Sequence, residues 1–170
     1  MAASVEKRTR APTALAPGVI DQVLAAGAVA LLGAVVMALA KGFGEWGQVP
    51  WVVWPHLATV IVALALTPVM LLRPRGDRLH RTLGKLWVAT MALSALSSFQ
   101  IRLSNDGGFS LIHLLSAAVL VQAPLIWWTA RRHQVRMHRR LVHGIVIGAL
   151  LIAGFFTFPF DRLLGHWLFA

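Results

Sequence analysis

Cysteine and tyrosine are both absent from the 170-residue chain. Without thiols there is no disulfide framework, no thiolate metal site and no cysteine nucleophile. Acidic residues are scarce, six against 16 Lys and Arg. Charged residues make up 13% of the chain, about half the share of a soluble domain. The hydrophobic stretches hold no paired carboxylates and no buried acidic relay. No G-x-S-x-G elbow and no Gly-rich phosphate loop occurs. Hydrolytic and nucleotide-dependent chemistry therefore have no residues to carry them.

What the chain has instead is apolar length. Hydrophobic residues make up 58% and mean hydropathy is +0.71. They fall into runs of about 20, enough to cross roughly 30 Å of hydrocarbon. The pattern predicts an all-α integral membrane protein with five spans, over 19–43, 51–72, 83–103, 111–130 and 141–158. Residues 1–18, polar and Pro-containing, read as a disordered tail. The first span is too long for a signal-peptide core, and GFGEWGQVP after it lacks a cleavage pattern. The connections GEWGQVP, RPRGDRLHR, SNDGGFS and RRHQVRMHRR are short, so successive helices should be antiparallel neighbours.

The basic residues set the expected orientation. Lys7, Arg8 and Arg10 lie in the tail. Arg73, Arg75, Arg78, Arg81 and Lys85 follow the second span, and Arg131, Arg132, Arg136, Arg139 and Arg140 follow the fourth. Only Lys41, Arg102 and Arg162 fall on the other side, with Glu45, Asp106 and Asp161. The positive-inside rule then predicts a bacterial inner-membrane protein with a cytoplasmic N-terminus and a periplasmic C-terminus. Trp46, Trp51 and Trp54 are expected at the outer interface, and Trp87, Trp127 and Trp128 at the inner one. Anionic lipid headgroups account for the net charge of +10, and a nucleic-acid partner is not expected.

Four histidines repeat in order. His56 and His113 open spans two and four, at WPHLAT and LIHLLS. His80 and His138 close the basic loops, at RLHRTL and RMHRRL. The His56–His113 spacing is one residue shorter than the His80–His138 spacing. Thr59 matches Ser116, Arg73 matches Arg131, Arg78 matches Arg136, and Pro68 aligns with Pro124 after a small shift. Two tandem hairpins, forming a four-helix bundle with the first helix as a peripheral addition, would account for this order.

A duplicated hairpin would bring like histidines together at each membrane face. Two neutral imidazoles opposed in a bundle can ligate haem iron axially. His56 with His113 would form an outer pair, and His80 with His138 an inner one. His143, deeper in span five, is a substitute inner ligand. The competing readings are a hydrogen-bonded interfacial pair for the first two, and caps or headgroup contacts for the second. His133 reads as loop and His166 as exposed tail. Gln100, Ser97, Ser98 and Gln122 are candidates for interhelical hydrogen bonds. Gly144, Gly148 and Gly154 read as ordinary close packing of span five.

The segments HRTLGKLWVATMALSALSSFQI, FSLIHLLS and MHRRLVHGIVIGALLIAGFFTF carry a family resemblance. From residue 51 onward the chain resembles a bacterial family of uncharacterised predicted membrane proteins, a domain of unknown function. The shared positions are His80, Arg81, Gly84, Trp87, Ser97, Ser98, Phe99, Ser110, His113, Ser116, His138 and Arg139. Val142 stands where that family commonly has methionine, and FPFDR where it tends to have a Pro-Gly-Arg turn. More loosely, the pattern is similar to transmembrane di-haem cytochromes of the ascorbate-reducible and ferric-reductase type. There the haem histidines lie on alternating helices, the second with the fourth and the third with the fifth.

Three functions are open at this stage. One is a b-type haem protein exchanging electrons with a quinone or a partner complex. A second is an accessory subunit packed against a larger respiratory or photosynthetic membrane complex. A third is a small transporter or lipid-handling protein, for which the paired prolines are the one supporting feature.

Overall fold

The computed structural model describes residues 16–101, 111–159 and 162–170. Most of the expected tail, with Lys7, Arg8 and Arg10, lies outside these residues, as do Arg102, Asp106, Ser110 and Asp161. All regular structure among the described residues is helical. Helix α1 spans Val19–Lys41, α2 Val53–Leu72, α3 Arg78–Ser98 and α4 Leu111–Arg131. Helix α5, Val135–Ile145, runs into a π-helical segment, Val146–Ile152, and a final turn, α6, Ala153–Phe155. A 3-10 segment, Gly42–Gln48, follows α1, and a short helix α7, Leu163–Phe169, ends the chain.

Local chemistry sets the boundaries. Pro55 sits in the first turn of α2, where its missing N–H has no helical partner to lose. Helix α2 stops at Leu72 because Pro74 follows Arg73 and forces it extended, with ψ 149°. Asp77 caps α3, its Oδ1 accepting from the His80 N–H at 2.6 Å. His133, at φ 54°, turns the chain between α4 and α5.

Four helical stretches are long and apolar enough to cross a membrane: Val19–Gln48, Val53–Leu72, Ile112–Arg131 and Val135–Phe155. The third predicted span, α3, does not qualify on composition. Its first turns carry Arg78, Arg81 and Lys85, and its second half is rich in hydroxyls. Those hydroxyls are sheltered, because α3 packs between α2 and α4. Thr90, Ser94 and Ser98 are all buried.

The first helix is not the peripheral addition that the repeat implied. It packs along α2, and its other side meets the π segment and α7. Chain-order neighbours α1 to α5 thus form a ring that α1 closes. Its inward face is Leu24, Ala25, Ala28, Val35 and Ala38, all buried. Small residues allow the close approach that packing in lipid requires, since hydrocarbon offers no hydrophobic drive. Gly154 serves the same end, because a Cβ there would lie 2.6 Å from Leu31 of α1.

Two further expectations change. Trp87 is an interior residue and not part of an aromatic belt. It is 4% exposed, and its indole N–H donates to Thr67 Oγ1 at 2.9 Å. Trp127 and Trp128 do sit at the basic end, under Lys85, Arg131 and Arg132. The chain end is not a simple tail either. His166 is exposed, but Leu164 and Trp167 beside it are buried. Trp167 Nε1 donates to Glu45 Oε2 at 2.8 Å, and Lys41 Nζ donates to the Leu168 carbonyl at 2.7 Å. These bonds dock α7 on the end of α1.

Candidate functional site

The histidines divide between the two ends of the ring. At the end opposite the basic loops, His56 of α2 is partly buried and faces α3. Its Nδ1 lies 3.0 Å from the Ser94 carbonyl and 3.3 Å from the Ser94 and Ser97 hydroxyls. A carbonyl only accepts, so Nδ1 carries the proton and Nε2 keeps its lone pair. His113 of α4 is 4% exposed, with its ring 5.8 Å from that of Phe99 just past α3. Both histidines therefore engage the end of α3, one on α2 and one on α4.

Their hydroxyl neighbours behave differently. Thr59 donates back to the His56 carbonyl at 2.8 Å, within its own helix. Ser116 instead crosses to α3, its Oγ 2.5 Å from Ser98 Oγ. The expected interhelical role thus holds for Ser98, through Ser116, and for Ser97, through His56. Gln122 places Oε1 over Gly144 of α5.

At the basic end the structure brings His80 and His138 into one neighbourhood. His80 lies in the first turn of α3 and His138 in the first turn of α5. His138 is near enough to act electrostatically on His80, and Arg75 acts on both. His138 Nδ1 lies 3.1 Å from the Ile126 carbonyl of α4. The same logic makes this Nδ1 the donor and leaves Nε2 as a bare lone pair. His80 Nδ1 is buried with no hydrogen-bond partner among the described residues.

His143 does not share that site. Five residues separate it from His138, about 140° around a helix at 3.6 residues per turn. It therefore points to α1, where Nε2 donates to Asp21 Oδ1 at 2.8 Å. Asp21 is completely buried. Its Oδ2 accepts from the Gly18 N–H at 2.7 Å and from Arg139 Nη2 at 2.7 Å, and forms an ion pair with Arg75 Nη2 at 2.8 Å. Arg75 also donates to the Ala16 carbonyl at 2.7 Å.

This four-way junction puts one buried carboxylate inside the first span, ion-paired and alone, where no buried acidic relay was expected. The signal was available: Asp21 is the one acidic residue inside the apolar run of the first span. An ionisable residue there is costly enough to demand partners. Asp21 lies in the first turn of α1, where carboxylates are common at helix starts.

The donor sets define what these sites can hold. Among the described residues no three His, Asp or Glu side chains group as a metal site. A bis-histidine haem needs only two, each with Nε2 free and Nδ1 fixed by a carbonyl. His138 and His56 have that arrangement. His80 does not, because its Nδ1 is buried with no hydrogen-bond partner among the described residues, so at the basic end it is His138 that fits the group. At the opposite end His56 fits, while α3 stands between its helix and that of His113.

No protein-family model, curated protein or solved structure matches the chain.

Proposed function

We propose that this chain is a small multi-pass membrane protein that carries electrons through b-type haem held by paired histidines. The observation carrying this reading is the tautomer fixed at His138, where the Ile126 carbonyl orients the ring and reserves Nε2, beside His80. His56 is held the same way by Ser94, but α3 separates its helix from that of His113, so the reading rests on the basic end. Haem supplies reversible one-electron chemistry, and its potential follows ligand basicity and burial. The chain's own residues fix two imidazole tautomers and wall the ligands with packed helices. The basic loops lie on the cytoplasmic side in this reading, and a quinone or a membrane partner complex exchanges the electrons.

The test is an absorption spectrum of detergent-purified protein made with ample haem, oxidised and then dithionite-reduced. A Soret band with a sharp reduced α-band is expected. Its absence sinks the reading. His138→Ala should then abolish the reduced α-band, and His113→Ala should leave it intact.

A second reading, an accessory subunit of a larger complex, draws on one feature. A groove of about 370 Å³ runs along α1, the π segment and α7. Gly27, Ala30 and Ala34 line one wall, the spacing that admits a partner helix in lipid. Stoichiometric co-purification of a membrane complex, from protein without a haem spectrum, would favour this reading over the first.

A further inference from the structure

The Asp21 junction touches both elements that carry the basic-end histidines. Arg75 lies in the α2–α3 connection, ahead of His80. Arg139 adjoins His138 in α5, and His143 lies further along the same helix. Helices α3 and α5 scarcely touch each other directly. What joins their first turns across the ring is α4 on one side and Asp21 of α1 on the other.

The geometry of the grip is specific. The carboxylate accepts three hydrogen bonds and pairs with a fourth group, the Arg75 guanidinium, so that three of its four partners are side chains of α5 and the loop. Charge-assisted bonds to guanidinium are short and directional. Holding His143 fixes the rotation of α5 about its axis. That rotation decides where His138, on another face of the helix, projects. Holding Arg75 fixes the loop from which α3 starts.

We infer that Asp21 is a positioning residue for the His80–His138 pair. From α1 it sets the separation and relative rotation of the two imidazoles. The positioning stands on the geometry alone; its consequence for haem rests on the proposed function. Helix α1 is then part of the site, although it contributes no ligand.

The absence of cysteine makes the test direct. Spin labels at Arg78→Cys and Arg136→Cys, both exposed positions, report the α3–α5 separation at the basic end. Labels at Gly47→Cys and Ile112→Cys report the opposite end. Asp21→Asn should replace a single narrow distance at the basic end with a broad distribution and leave the opposite end narrow. Asp21→Glu should restore the narrow distance. In haem-loaded protein the low-spin electron-resonance signal of the basic-end haem should broaden in Asp21→Asn. A basic-end distance that stays narrow in Asp21→Asn overturns the inference. If both ends broaden, His143→Gln decides by the same two outcomes. Broadening in a protein that never binds haem would uphold the positioning role and refute the haem reading separately.

Discussion

Asp21 Oδ1 and His143 Nε2 meet at 2.8 Å across the seam between α1 and α5. The two residues are 122 positions apart, and this contact joins the start of the first helix to the last long one. Asp21 is also held by two guanidiniums, so its partners do not share the load equally. Removing the carboxylate leaves Arg75 and Arg139 facing each other without compensation. Asp21→Ala should therefore destabilise the protein by about 3–5 kcal/mol. His143→Ala removes one hydrogen bond to a charged group and should cost about 1.5–3 kcal/mol. Denaturant unfolding in detergent, followed by helical circular dichroism, gives both values. Equal costs would show that the arginines do not depend on Asp21.

The loop between α2 and α3 should respond to acid. Asp77 caps α3 and bonds Arg73 through Nε at 3.0 Å and Nη2 at 2.6 Å. The Arg73 guanidinium, and then the His80 N–H, hold its carboxyl below the ordinary carboxylate value. A depressed folded-state pKa contributes stability that is full above the unfolded value. That stability fades as pH falls through the folded one. The loop should therefore be firm at neutral pH and loosen only below the usual carboxylate range. Amide exchange at the start of α3, compared between pH 7 and acid, should show protection lost on acidification. Asp77→Asn should show reduced protection at both. A wild-type loop equally protected at both would refute the role of the ionised cap.

The ends of the helices were more legible than their contacts. Four of the five span positions follow from apolar length, and the nearness of His80 to His138 follows from their matching places at the starts of α3 and α5. The Asp21 junction was not legible, because hydropathy averages a single carboxylate into a strongly apolar run. The turn of His143 away from His138 was readable in principle from their spacing, but its partner came from the far end of the chain. The interior role of Trp87 was hidden for a similar reason. Tryptophan near a basic loop reads as interfacial until a buried acceptor, Thr67, is found on the neighbouring helix.

That acceptor makes Trp87 a sensitive position. Thr67 Oγ1 takes the indole N–H and donates in turn to the Ala63 carbonyl at 2.7 Å. Thr67 is 1% exposed, so neither group has water as an alternative. Thr67→Val keeps the shape but strands the indole N–H, at about 1–3 kcal/mol. Adding Trp87→Phe to Thr67→Val removes the stranded donor and should recover part of that loss. A double-mutant cycle on unfolding midpoints measures the coupling. Additive costs would mean that the bond contributes nothing to stability.

Docking of α7 depends on two glycines. A Cβ at Gly165 would run into the Phe158 backbone carbonyl, and one at Gly42 into the Trp167 ring. Backbone cannot yield as a flexible side chain can, so Gly165→Ala should displace α7 outright. Trp167 would then lose its bond to Glu45, and the Lys41 contacts to the chain end would break with it. The long helices, which pack through other residues, should keep their structure. A single cysteine placed at Leu164, which is buried against the bundle, reports the change. It should react slowly with a water-soluble maleimide in the otherwise native chain. In the Gly165→Ala background labelling should be much faster, with helical content unchanged. Equal labelling rates would mean that α7 tolerates the methyl group, and that Trp167 with Lys41 suffices to hold it.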